Sequence, residues 1–256
     1  MPRHKEGGIL PKMPSLTRGR YRARLAKGAA AITSARALRT RAFAIDGPDC
    51  DAFDEICDHL MVDDLNSGQL VCCARLLRLA DGRELGHSYA ARYYDLTALA
   101  RFQGPMAEMG RFCVHPNWPD PDILRLAWGA MTAYVDENRV EMLFGCSSFE
   151  GTDTARYLDG FAMLGARHLA PGRWLPGIKA AEVFRFCDMT PRNAGARQAT
   201  RQVPPLLRSY LAMGGRVSDH AVIDREMNTL HVFTGLEIGA IPEGRKRLLR
   251  AVAGGI

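Results

Sequence analysis

The 256-residue chain has no run close to the roughly 18–20 consecutive apolar residues that a membrane-spanning helix needs. Met1 to Leu16 also lack the continuous apolar stretch of a secretory signal, so the expectation is a protein made and kept in the cytoplasm. No Cys-x-x-Cys pair occurs, the seven cysteines are odd in number, and the histidines are scattered. Neither a disulfide framework nor a metal site is therefore expected, and the thiols read as small core residues. There is no internal repeat and no low-complexity tract. The absence of a helix-turn-helix, a zinc knuckle or an aromatic RNA-binding motif argues against a nucleic-acid partner. Acid is scarce near the start, where Glu6 stands alone against Arg3, Lys5, Lys12, Arg18, Arg20, Arg22, Arg24 and Lys27.

What is present is an ordinary globular composition, 47% hydrophobic and 24% charged, with a formal net charge of +6. The length suits one large domain with extensions. Residues 1–17 are expected as a basic, disordered extension, 18–240 as the folded domain and 241–256 as a basic tail holding Arg245, Lys246, Arg247 and Arg250. Such charge favours an acidic partner: an acidic protein, an anionic membrane face or nucleic acid. For any one residue the plainer reading is a solvated surface.

Periodicity predicts a strand at Tyr21–Ala26, a helix over Ala29–Ala44, strands at His59–Asp63 and Leu70–Leu79, and a strand from Glu108 to His115. Asp120-Pro121 combines an N-cap with a first-turn proline, so a long amphipathic helix follows, carrying Leu124, Ala127, Trp128 and Met131. Val140–Phe149 is apolar enough for a central strand. A helix is expected from Asp153, stopped by Gly165, and another over Val203–Met213; strands are expected at Ala221–Ile223 and His231–Leu236. Strands first clustered and then alternating with helices predict an α/β fold, a mixed central sheet flanked by helices.

Several ordered strings carry a family resemblance. Leu38-Arg39 with Phe43, then Asp51-x-Phe53-Asp54, Asp58-His59-Leu60, Arg75-Leu76-Leu77 and Glu108-x-Gly110-Arg111-Phe112 resemble two related groups. These are the acyl-homoserine lactone synthases and the ornithine–acyl carrier protein N-acyltransferases of ornithine lipid synthesis. Arg111-Phe112-Cys113-Val114-His115, Phe144-Gly145-Cys146-Ser147-Ser148-Phe149, Pro204-Pro205-Leu206-Leu207 and Val222-Ile223-Asp224-Arg225 are similar to the second group. The resemblance implies a GNAT-like fold with a mixed, mostly antiparallel central sheet. It implies transfer of an acyl group, commonly 3-hydroxylated, from acyl carrier protein to the α-amine of an amino acid, usually ornithine, giving a lyso-aminolipid. Glutamine or another acceptor stays open. A homoserine-lactone synthase is disfavoured because no tryptophan lies between Phe43 and Asp51. A basic membrane-binding module is a third reading, and peripheral contact with an anionic inner membrane face is compatible with a lipid product. No cofactor is implied.

Amine attack on a thioester needs somewhere for the ammonium proton to go, and a carboxylate serves. Glu108 is the candidate; the alternative is that it pairs with Arg75 or Arg111. Regular alternation puts Glu108, Gly110 and Phe112 on one face and Met109, Arg111 and Cys113 on the other, which argues against a covalent Cys113 intermediate. A bulge near Gly110, typical of the fold, would change that parity and free backbone N–H groups for an oxyanion. Asp51 and Asp54 either receive the acceptor's ammonium group or form turns and caps. Arg75 either grips a substrate carboxylate or pairs internally. Arg111 and Ser147 join the expected substrate site by resemblance, while Phe43, Phe112 and Trp128 either line an acyl tunnel or pack in the core. Coenzyme A-dependent relatives carry a glycine-rich phosphate loop at the helix start, whereas Asn117-Trp118-Pro119-Asp120-Pro121-Asp122 has two prolines without amides and two repelling acids. A carrier-protein donor fits that departure better.

Overall fold

The structure, a computed structural model, describes residues 13–44, 46–189 and 195–253. A ten-stranded sheet runs through it in the order β1-β2-β3-β4-β6-β7-β12-β11-β9, with β10 also paired to β12. Its strands are β1 (Leu16–Arg18), β2 (Tyr21–Leu25), β3 (Asp58–Asp64), β4 (Leu70–Leu79), β6 (Met106–Val114), β7 (Met142–Glu150), β9 (Val183–Arg185), β10 (Arg216–Val217), β11 (His220–Asp224) and β12 (Thr229–Glu237). A separate two-stranded ribbon joins β5 (Tyr94–Asp95) to β8 (Gly177–Ile178). The GNAT-like fold expected from the sequence is the fold observed.

Among the paired strands of the large sheet only β6 and β7 run parallel. Parallel neighbours need a long crossover, and α3 (Pro121–Glu137) supplies it. The local chemistry sets where α3 begins: the Asp120 carboxylate accepts the Asp122 N–H at 2.9 Å, and Pro121 occupies the first turn, where no amide is missed. Ile123, Leu126, Ala127, Ala130, Met131 and Tyr134 recur at helical spacing and are buried on the sheet. The same face is covered by α4 (Leu158–Arg167), α5 (Ala196–Gln202) and α6 (Pro205–Ala212). The opposite face carries α1 (Ala29–Phe43), the short α2 (Phe53–Ile56) and the irregular stretch 80–102.

Several expected boundaries shift. Gly165 does not stop its helix: Asp153 caps a single 3-10 turn at Thr154–Tyr157, and α4 then runs through Gly165, whose missing side chain admits the Phe186 ring. Of the extension expected over 1–17, positions 1–12 lie outside the described residues, whereas Leu16–Arg18 forms β1 against β2. The basic stretch expected as a tail contains the helix α7 (Glu243–Ala253), which lies on α3 with Leu249 against the core and Arg250 paired to Asp136 at 3.0 Å. No helix among the described residues is long and apolar enough to cross a membrane.

Candidate active site

The β6–β7 ladder holds only three residue pairs, Met106↔Met142, Ala107↔Leu143 and Glu108↔Phe144, although both strands continue for six more residues. Beyond Glu108 the two strands part and a cleft opens into the sheet. Gly145 stands where they part: a Cβ there would sit 2.2 Å from the Met109 carbonyl oxygen, so only glycine lets the strands meet and then diverge.

On its other edge β6 bulges. Arg75 pairs with Gly110 and Cys73 with Cys113, so β6 spends one residue more than β4 over that interval. The left-handed conformation falls on Arg111, at φ 50°, rather than on Gly110. That side chain therefore leaves the regular alternation, and a Cβ added at Gly110 would meet nothing within 4 Å.

The bulge corrects the parity expected for Cys113. It lies on the same face as Glu108, with Cys73 opposite it across the ladder and 3.6 Å away between sulfurs, under Ala35 and Leu38 of α1. The case against a Cys113 nucleophile survives for a different reason. The Cys73 hydrogen bond and burial raise the Cys113 thiol well above its ordinary value, so the reactive thiolate is suppressed.

Glu108 is buried and makes no ion pair among the described residues. Its two oxygens each accept a backbone N–H at 2.7 Å, from Tyr89 and Ala90, which ties the 80–102 stretch down onto β6. Burial pushes its carboxyl up to about 7; the two amides and the more distant Arg75 and Arg92 oppose that effect without overcoming it. The result is a carboxyl poised near neutrality beside the cleft.

Beside it lies a layer of alternating charge. Arg39, fully buried on α1, contacts Asp49 at 2.8 Å and Asp54 at 2.6 Å. Asp54 also takes Arg36 at 2.9 Å and Arg75 at 3.2 Å; Arg75 pairs in addition with Asp51. Burial alone would raise the Asp54 carboxyl, but Arg39, Arg36 and Arg75 hold it well below the usual range. Asp51 is likewise held down by Arg75 and Arg111 against its burial, and its Oδ1 forms a turn by accepting the Phe53 N–H at 2.9 Å. Arg75 is thus an internal ion-pair partner, and both aspartates are engaged by arginines.

Arg111 joins this layer from the bulge of β6. It meets Asp49 at 3.1 Å and Asp51 at 4.0 Å, stands 5.5 Å from the centre of the Tyr89 ring, and points Nη2 at the Met227 sulfur, 3.9 Å away.

The other expected site residues are elsewhere. Ser147 accepts a hydrogen bond from Thr234 at 2.9 Å and alternates with Leu143 and Phe149, on the sheet face away from Glu108. Phe112 packs toward the α3 side of the sheet, and Trp128 lies edge-on to Tyr210 at 5.4 Å. Phe43 packs with Ala35 and Leu38 at the end of α1.

Residues that sequence reasoning gave no role lie near Glu108 and Arg111 or pack against those that do: Tyr89, Tyr93, Cys146, Asp224, Met227 and His231. The Tyr89 and Tyr93 hydroxyls are 3.3 Å apart, and Tyr93 packs edge-on against His231 at 4.9 Å. Burial, then Glu108 and Asp224, raise the Cys146 thiol well above its ordinary value. Three weak signals existed: Arg39, Cys146 and Asp224 all stood inside the strings that carried the resemblance, though without an assigned task. Among the described residues, no group of three His, Cys, Asp or Glu side chains could hold a metal ion.

Comparison with known proteins gives concordant results. The family described as an acetyltransferase (GNAT) domain matches residues 35–129. The L-ornithine N(alpha)-acyltransferase of Rhodobacter capsulatus is 33% identical over 241 residues, spanning 87% of this chain and 92% of that protein. The enzyme of the same name from Brucella abortus is 32% identical, spanning 87% and 86% respectively. Among solved structures, FeeM, an N-acyl amino acid synthase from uncultured soil microbes, aligns with a TM-score of 0.50 at 12% identity, covering 86% of this chain and 93% of its own. That likeness is one of fold.

Proposed function

Because the chain belongs to the L-ornithine N(alpha)-acyltransferase family, and is an N-acyltransferase, we propose that it moves a 3-hydroxyacyl group from acyl carrier protein to the α-amine of ornithine. The observation that carries this reading is the parting of β6 and β7 beside a buried carboxyl that titrates near neutrality. The α-ammonium group gives its proton to Glu108 through water, and the free amine attacks the thioester carbonyl. The β7-facing backbone of β6 beyond Glu108 has no strand partner, so its N–H groups are available to the oxyanion. As the N–C bond forms the C–S bond breaks, and the carrier thiolate leaves and takes up a proton. Arg111, at the mouth of the cleft, holds the acceptor's carboxylate.

The donor assignment is supported by the start of α3. The Asp122 and Ile123 amides already serve Asp120, at 2.9 and 3.2 Å, and Pro119 and Pro121 have none to offer. A pyrophosphate would find few free donors there and two aspartates against it. An acidic carrier with one phosphate on its arm suits the basic surface better. Peripheral membrane contact belongs to the same reading: α7 carries Arg245, Arg247 and Arg250 with Leu248, which is 63% exposed.

The test is incubation with 3-hydroxyacyl carrier protein and a panel including ornithine and glutamine, following free carrier thiol and the mass of the N-acyl product. Thiol release with ornithine, at most weak turnover with acyl-coenzyme A and no need for S-adenosylmethionine are the expected results. Failure to acylate any amino acid overturns the proposal.

A further inference from the structure

We propose that Asp224, with His231 beside it, is the seat of the acceptor's side-chain ammonium group and so selects a diamino acid; this rests on the acceptor-binding reading above. Glu108 on β6, Cys146 on β7, His231 on β12 and Asp224 on β11 lie on one face of four successive neighbours in the sheet. The row thus runs from the transfer position to Asp224 along a single wall.

Asp224 is 5% exposed and makes no ion pair among the described residues; one of its oxygens accepts the Met227 N–H at 3.0 Å. Other buried aspartates at this end of the sheet, Asp49 and Asp54, are each matched by arginine. A carboxylate withdrawn from water without a cation is costly, and a ligand cation removes that cost.

His231 supplies an independent sign of a ligand. It is 2% exposed, and its Nε2 has no hydrogen-bond partner. The Tyr94 hydroxyl donates its one proton to the His231 carbonyl at 2.9 Å, so toward Nδ1, 3.0 Å away, it acts as acceptor. Nδ1 therefore carries the hydrogen. Burial lowers the ring's proton affinity to about 4, with Asp224 opposing, so the ring is neutral and Nε2 is a bare lone pair. Tyr93 packs edge-on against this ring at 4.9 Å, and Asp224 lies near enough to act electrostatically on both His231 and Tyr93. Two acceptors without a cation, beside the Tyr93 ring, match an ammonium group, which has three donors and no acceptor. Arg111 contacts Met227, the residue whose amide caps Asp224, so an acceptor whose carboxylate lies on Arg111 has its side chain directed along this wall.

The experiment is calorimetric binding of ornithine, norvaline (the same carbon chain without the side-chain amine) and 2,4-diaminobutyrate to the full chain, with and without carrier protein. The wild type is expected to bind ornithine far more tightly than norvaline. Asp224→Asn, whose amide oxygen still caps Met227, is expected to lose about 100-fold for ornithine and less than about threefold for norvaline, the scale seen when one partner of a buried charge pair is removed. Asp224→Glu keeps the charge and is expected to shift preference toward 2,4-diaminobutyrate. Equal losses for ornithine and norvaline, no ornithine preference in the wild type, or no ornithine binding at all each overturn the assignment. Binding without acyl transfer would instead overturn the proposed reaction and leave this site standing.

Discussion

Replacing Glu108 by glutamine gives a test that separates chemistry from packing. The folded protein holds the Glu108 carboxyl at about 7 against an ordinary value of 4.5. Each tenfold change in proton affinity is worth about 1.4 kcal/mol, so the linked contribution to stability is ~3 kcal/mol. Its sign follows from which state binds the proton. Between those two values the folded state holds a proton that the unfolded chain has released. The contribution is therefore fully present below 4.5 and is lost as pH rises through 7. The glutamine variant has no such dependence. It does leave one of the two amides, Tyr89 or Ala90, without an acceptor, a constant cost of about 1–3 kcal/mol. Urea denaturation of both proteins between pH 4 and 8 reads the difference: wild-type stability should fall relative to the variant by ~3 kcal/mol across that range. The rate constant kcat/KM should rise with pH to a plateau above about 7 in the wild type. In the variant it should drop about 10²–10⁴-fold. A stability difference that stays flat with pH would mean that Glu108 titrates like an exposed acid, and the argument for a poised base would fall.

Three further outcomes follow from the same geometry. Asp54→Asn leaves Arg39 and Arg75 short of a buried counter-charge and should destabilise the protein by about 3–5 kcal/mol in chemical denaturation; because Asp54 is held low, its stabilisation is present above its ordinary pKa and lost on acidification below it. Gly145→Ala pushes a Cβ into the Met109 carbonyl and should lower stability by about 1–3 kcal/mol in thermal denaturation, with loss of transfer. Arg111→Gln should raise KM for ornithine by about 10–100-fold while affecting the decarboxylated diamine little, the scale of charge-assisted hydrogen bonds; an equal effect on both acceptors would remove Arg111 from carboxylate binding.

The parts of this fold that could be read from the sequence are those governed by neighbours along the chain. Asp120-Pro121 starts a helix wherever it stands, and the apolar spacing after it needs no partner to be recognised. Glu108 to Val114 read as a strand on its own terms. The bulge was legible only in its neighbourhood: Gly110 marked it, but the extra residue and the positive φ fell on Arg111, because the ladder with β4 decides the register. That single residue reversed the parity inferred for Cys113. The fate of Asp51 and Asp54 depended on Arg39 and Arg75, which only folding brings together. Tyr89 and Tyr93 belong to a stretch without period and had no local signature; Asp224 stood inside a resembling string, but its role depends on three other strands.

The short β6–β7 ladder has a consequence of its own. On one side of it β1, β2, β3, β4 and β6 form one antiparallel block; on the other, β7, β12, β11 and β9 form a second. Three residue pairs, with α3, the β5–β8 ribbon and a shared core laid across, are the seam between these two slabs. The Glu108 carboxyl sits on the last rung of that seam, with Arg111 on one slab and Asp224 on the other. An acceptor that touches both arginine and aspartate therefore acts as a staple, and small rotations of one slab against the other change the distance it must span. Acceptor length would then be gauged by the set of the sheet as well as by the shape of a pocket.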